Sequence, residues 1–195
     1  MIVISNPTAI ANEINTIHAL FEQGLALFHV RKPDFSATEM KAFVLAIGLE
    51  HSPKLVLHSH HQLAAALGIN RLHFTTKDRA TNPVRVLNPN WVISTSTHSI
   101  QEFNNINNCF EYAFLSPVYP SISKTNYQPD TNLFEVVKNR SNFQTKLIGL
   151  GGMEAQNIAE AIVNGFDDVA LLGTIWNSET PIENFKLCQQ IAPSF

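Results

Sequence analysis

Eight histidines are spread along a chain of 195 residues. Five of them, His29, His58, His60, His73 and His98, fall at or beside the ends of short apolar runs. Imidazole is the usual acid or base near neutral pH and the commonest metal ligand. Basic and hydroxyl residues accompany these histidines. The runs end as His29-Val30-Arg31-Lys32, His58-Ser59-His60-His61, His73 with Lys77-Asp78 soon after, Ser94-Thr95-Ser96-Thr97-His98, and Ser116-Pro117-Val118-Tyr119-Pro120. The last leads into a stretch carrying Ser121, Ser123 and Lys124. Arginine suits bidentate recognition of phosphate or carboxylate, and a loop with hydroxyls and a lysine can close over an anion. A zinc centre is the rival reading. HExxH and CxxC are absent, however, and His58 and His60 flank Ser59 with no carboxylate nearby. Imidazoles hydrogen-bonding around an anionic ligand account for the same residues. GxSxG, Walker A and GxGxxG patterns are also absent, so serine hydrolysis, kinase chemistry and nicotinamide binding have no support.

A second set points to phosphate. Lys146-Leu147-Ile148-Gly149-Leu150 ends in Gly151-Gly152, and Asp168-Val169-Ala170-Leu171-Leu172 ends in Gly173-Thr174. A wholly apolar strand implies burial on both faces, as in a parallel sheet. Glycine at its end lets backbone N–H groups approach a ligand with no Cβ in the way. Two such turns on the last two strands are how many (β/α)8 barrels hold a phosphate.

The elements that must position these residues alternate along the whole chain. Strands are expected at residues 2–5, 26–31, 54–58, 71–74, 91–95, 112–116, 146–150 and 168–172. Helices are expected at 9–23, 36–49, 60–67, 99–107, 131–139, 154–164 and 181–191, with Ser36 and Glu39 spaced as a capping box. The segment 75–90, with Pro83 and Pro89, reads as a loop or a single helical turn. Eight strands alternating with helices give an α/β chain, a compact single-domain (β/α)8 TIM barrel over residues 1–195. Side chains at strand C-termini then line the site, and alternation along the second strand puts His29 and Arg31 on one face, toward the barrel mouth. A salt bridge from Arg31 to Asp34 is the alternative. The net charge of −3, with no basic stripe, argues against nucleic acid and anionic membranes as partners. No run of 18 apolar residues suggests a membrane span. The two cysteines read as reduced core thiols, and the cytoplasm is the expected compartment.

In this order, these residues resemble the thiamin phosphate synthase and thiazole tautomerase superfamily, and the resemblance covers nearly the whole chain. Tyr112 to Lys124 is similar to the family segment D-Y-x-x-x-G-P-V-F-P-T-x-T-K. Residues 147–153 and 165–170 resemble its I-G-G-I and G-A-D-G-V-A turns, and Ser94 to His98 its G-V-S-x-H strand. The resemblance implies a transferase of thiamin biosynthesis. It would join a hydroxymethylpyrimidine pyrophosphate to a thiazole phosphate and release pyrophosphate. It further implies that Arg31, Lys124 and His58 serve catalysis. His29, Ser96, Ser121, Ser123, Gly151, Gly152, Leu172 and Gly173 would bind substrate, and Asp78 would bind Mg2+. The family's Asn-Asp pair at the third strand, whose aspartate binds Mg2+, is replaced here by His58-Ser59, which weakens the metal site. The family's glutamine before the arginine is His29. The lysine that follows falls on Pro33, with Lys32 beside it, and Ser116-Pro117 stands for Gly-Pro. Two alternatives stay open. One is a thiazole phosphate tautomerase-like isomerase, although Pro117 stands where that branch has histidine; the other is a non-catalytic barrel that binds a phosphate ligand. The expected partners are small phosphorylated heterocycles, and the resemblance leaves room for a homo-oligomer.

Overall fold

The computed structural model describes residues 1–81, 89–119 and 133–192. Eight strands form a closed, all-parallel barrel in sequence order: β1 (Ile2–Ile4), β2 (Leu27–Val30), β3 (Leu55–Leu57), β4 (Arg71–Phe74), β5 (Val92–Thr97), β6 (Tyr112–Leu115), β7 (Lys146–Leu150) and β8 (Asp168–Leu171). β8 pairs with β1 through Ile2↔Ala170 and Val3↔Leu171, which closes the ring. This is the expected (β/α)8 TIM barrel.

Most strands are apolar on both faces because each face has its own core; the interior faces of β4 and β5 instead carry His73, Ser94 and Ser96. One set of alternating side chains, Val3, Phe28, Val30, Leu55, Leu57, Leu72, Ile93, Ala113, Leu115, Leu147, Val169 and Leu171, joins the large cluster shared with the helices. The opposite set, Ile2, Ile4, Leu27, Tyr112, Phe114, Ile148 and Ala170, forms a smaller cluster inside the barrel. Side-chain direction alternates with period two. His29 therefore shares the interior face with Leu27, and Ser94 lies level with Tyr112 in the β5–β6 register.

The helices are α1 (Glu13–Glu22), α2 (Ala37–Ile47), α3 (Thr76–Thr81), α4 (Ile100–Asn104), α5 (Leu133–Val137), α6 (Ala155–Val163), α7 (Gly173–Trp176) and α8 (Pro181–Gln189). The Ser36–Glu39 capping box is present at the start of α2. The expected helix over 60–67 is instead two 3-10 turns, His61–Leu63 and Ala65–Leu67. His60 is left-handed there, with φ 53°, so a continuous helix cannot begin at it. In the segment read as a loop or single turn, α3 forms over six residues. Thr75 N–H and Oγ1 both donate to Asp78 Oδ2 at its start, at 2.8 and 2.6 Å. Both cysteines are free thiols. No helix of the described residues is long and apolar enough to cross a membrane.

Candidate active site at the barrel mouth

Three of the five strand-end histidines meet inside the barrel. His29 Nδ1 and His58 Nε2 are 2.8 Å apart, so one proton is shared between two ring nitrogens. The other nitrogen of His29 lies 2.8 Å from Tyr112 Oη. His73 stacks on His58, with ring centroids 4.1 Å apart, and its nitrogens contact Ser94 Oγ at 2.9 Å and Ser96 Oγ at 2.8 Å. His29 and His73 are fully buried, while His58 keeps partial exposure toward the mouth. Burial holds all three imidazoles below their ordinary range, His73 down to about 3. The neighbouring imidazoles and arginines add to the effect. At neutral pH the cluster is uncharged and keeps its lone pairs. Burial also pushes the Tyr112 phenol up, so it stays protonated.

The other two histidines stand apart. His60 Nε2 donates to the Phe35 carbonyl at 2.7 Å, and His98 Nδ1 donates to the Ser116 carbonyl at 3.1 Å. Arg31 is exposed just beyond β2. Its backbone is held by Ser5, whose Oγ accepts from Arg31 N at 2.8 Å and donates to Arg31 O at 3.0 Å. No Arg31–Asp34 ion pair occurs among the described residues, so the guanidinium is available to a ligand anion. Lys32 turns the other way. Its ammonium is fully buried on Glu13, at 2.6 and 2.8 Å, and on the Thr8 carbonyl at 2.9 Å. It therefore cannot stand in for the lysine expected after the arginine.

The two glycine turns lie side by side at the C-terminal ends of β7 and β8, which are paired up to Leu150↔Ala170. Gly151 and Gly152 have φ of +99° and +63°, a region that side chains with a Cβ rarely adopt. A Cβ on Gly151 would also lie 3.0 Å from Pro117 Cβ. The turns are braced from outside. Asn157 Nδ2 donates to Gly152 O at 2.8 Å, Thr174 Oγ1 donates to Met153 O, and Trp176 Nε1 donates to Ile4 O at 2.6 Å. Across from them, Val118 N and Tyr119 N donate to Leu150 O and Gly151 O at 3.0 and 3.1 Å. The segment after β6 is thereby fixed onto the turn after β7. Ser121, Ser123 and Lys124, expected on that segment, lie outside the described residues.

Arg79, outside the residues singled out from sequence, braces the end of β5. It donates to Thr95 Oγ1, to the Ser96 carbonyl at 2.6 Å and to Glu102, which in turn accepts from His98 N at 2.7 Å. The missed signal was a charge pair between two short helices flanking one strand.

A family model described as thiamine monophosphate synthase matches residues 1–175. The chain belongs to the thiamine monophosphate synthase family. The thiamine-phosphate synthase of Bacillus cereus (strain AH187) is 25% identical over 194 residues, covering 93% of this chain and 87% of that protein. Among solved structures, thiamine phosphate pyrophosphorylase from Bacteroides thetaiotaomicron superposes with a TM-score of 0.78 at 27% identity, covering 98% of this chain and 96% of that one. The Pyrococcus furiosus thiamine phosphate pyrophosphorylase, at 15% identity and TM-score 0.77 over 97% of this chain and 93% of that one, shares the fold. Membership of this family gives the chain a role in thiamin biosynthesis as a transferase.

Proposed function

We propose that this member of the thiamine monophosphate synthase family joins a hydroxymethylpyrimidine pyrophosphate to a thiazole phosphate and releases pyrophosphate. The observation that carries the reading is the paired turn at Gly151-Gly152 and Leu172-Gly173, held rigidly at one end of the barrel with Arg31 exposed at the same end. The turns would hold the thiazole phosphate through backbone N–H groups. Arg31, Ser96, Ser121, Ser123 and Lys124 would hold the diphosphate. The C–O bond between the pyrimidine methylene and the diphosphate breaks, and its electron pair leaves with pyrophosphate. The thiazole nitrogen lone pair then forms the new C–N bond to the methylene cation. Cationic donors aimed at the leaving oxygens favour the charge-separated state over the ground state.

A magnesium ion takes oxygen ligands and keeps several waters, with one or two carboxylates beside substrate phosphates. Asp78 offers one carboxylate, although its Oδ2 already accepts two hydrogen bonds from Thr75. Ser59 stands where a second carboxylate is expected, and its buried Oγ has no hydrogen-bond partner among the described residues. This set fits an ion held by Asp78 and mainly by the substrate's own diphosphate. Such an ion would neutralise the leaving group. We place the reaction in the cytoplasm, on small phosphorylated heterocycles.

The isomerase alternative is not favoured, since Pro117 fills the position of that branch's histidine and packs against Gly151. The test is pyrophosphate release by the purified chain given both precursors, first with Mg2+ and then with EDTA. Release that needs both precursors and falls with EDTA is the expected result. Absence of release in every condition overturns the reading and leaves a phosphate-ligand-binding barrel.

A further inference from the structure

The imidazole cluster carries more than the transferase scheme uses. His29, His58 and His73 come from β2, from the residue after β3 and from β4, three adjacent strands of the barrel wall. One ring nitrogen from each lies within 4.8 Å of the other two. We propose that these three side chains form a binding site for a divalent transition-metal ion of the zinc class, inside the barrel and open toward its mouth.

Donor chemistry is the first argument. Three neutral imidazoles suit zinc, cobalt or nickel and suit magnesium poorly, since magnesium selects oxygen. Geometry is the second. Tetrahedral Zn–N bonds of about 2.0–2.1 Å put ligand nitrogens about 3.3 Å apart. The His29–His58 pair stands at 2.8 Å, so it opens by about 0.5 Å as the proton between them moves to an outer ring nitrogen, and His73 swings off its 4.1 Å stack on His58 to turn its nitrogen toward the ion. The outer hydrogen bonds are the third argument. A metal-bound histidine is oriented by a partner on its other nitrogen. Here Tyr112 Oη stands at the far nitrogen of His29, and Ser94 Oγ at Nδ1 of His73. That leaves His73 Nε2, now on Ser96 Oγ at 2.8 Å, as the ligand atom. Ser96 would then face the open fourth position, where a water or a substrate oxygen binds. Three protein ligands and one open position are the pattern of a catalytic rather than a structural zinc site. Access comes past His58, the one partly exposed member.

The inference deepens the proposed function by adding a borderline metal ion at the same barrel mouth, but it rests on the chain's own donors. Its test uses no substrate, so either reading can fail alone. The full chain is stripped with EDTA and titrated with Co2+, then Zn2+, with Mg2+ as comparator, while 15N spectra of the imidazoles are recorded. The expected result is one equivalent of Co2+ with intense visible absorption, displaced by Zn2+ and unaffected by Mg2+. Nitrogen shifts should be confined to His29, His58 and His73, and thermal stability should rise by about 5 °C or more when free zinc exceeds Kd about 100-fold. His58→Asn and His29→Gln should each weaken Zn2+ binding about 100-fold or more, beyond the 10–100-fold typical of an outer partner. Shifts spread over His18, His51, His60, His61 or His98, or affinities unchanged in the variants, would show adventitious surface binding and overturn the proposal. Should the variants fail to fold, the nitrogen shifts of the unaltered chain decide alone.

Discussion

Replacing Lys32 separates two roles that its neighbour Arg31 could suggest for it. The ammonium lies at 2.6 and 2.8 Å from the Glu13 oxygens and 2.9 Å from the Thr8 carbonyl, over the Phe43 ring at 4.8 Å, with the side chain wholly out of solvent. Lys32→Met leaves the Glu13 carboxylate buried without its partner. Burial already raises the Glu13 pKa even with Lys32 in place, so desolvation outweighs the pair's attraction. Breaking a buried pair from one side costs about 3–5 kcal/mol, which corresponds to a fall in Tm of about 10 °C for a chain of this size. The double variant Lys32→Met/Glu13→Leu removes both charges and should recover most of that loss, because a well-packed apolar pair is commonly neutral or better than an ion pair in the same place. Urea unfolding of the two singles and the double gives the coupling directly. Catalytic constants of folded Lys32→Met, measured well below its Tm, should stay within a few-fold of the unaltered chain. A Tm loss of under 2 °C combined with a large rise in KM would refute the argument and return Lys32 to the substrate.

Other consequences follow from the same geometry. Arg31→Ala should lower kcat/KM about 100–1,000-fold, as loss of one positioned anion-stabilising donor does, while its exposed side chain leaves Tm within about 2 °C; steady-state kinetics beside calorimetry checks both. Gly151→Ala forces a Cβ to 3.0 Å from Pro117 at φ +99°; it should cost about 1–3 kcal/mol and raise KM for the thiazole phosphate more than for the diphosphate. The metal-free protein should lose stability on acidification. The three buried imidazoles have folded pKa values below their unfolded value, so the unfolded chain binds more protons and stability is present above about pH 6.5 and lost as pH falls. From pH 7 to 5.5 His73, with its pKa down at about 3, should alone remove about 1.3 kcal/mol, and His29 and His58 add to the loss in the same direction. A slope matching one histidine or fewer in urea unfolding with EDTA would contradict the buried cluster.

The barrel was readable from sequence because most strands carry apolar residues on both faces and each ends in a polar or glycine-containing turn. β4, β7 and their bounds agree to the residue, while β5 runs on through Ser96 and Thr97, hydroxyl residues that alternation alone cannot assign to strand or loop. The glycine turns were readable as well, since they are local. What the sequence could not supply is which histidines meet. His58 and His60 are close in sequence but diverge, because His60 takes a left-handed conformation and bonds Phe35. His29 and His73 are far apart in sequence, and parallel registry places both beside His58. Lys32 and Arg31 are adjacent, and the period of two sends one outward into the helix layer and one to the mouth. Direction depends on where a strand ends, and the apolar pattern leaves that uncertain by a residue or two.

The join between β8 and β1 also dictates how the chain comes together. Every other strand of the barrel pairs with a sequence neighbour, and can do so as soon as the intervening helix is available. The outer edge of β1 has no partner until β8 is in place, and the Trp176 indole that caps Ile4 lies 172 residues further along. During synthesis the growing barrel is an open, curved sheet with two unpaired apolar edges, the form of intermediate that invites wrong pairing. Loop-closure entropy for the last seam is met only once the whole ring is present. Slow refolding at low protein concentration, and aggregation when β8 is truncated, are the expected outward signs of that late seam.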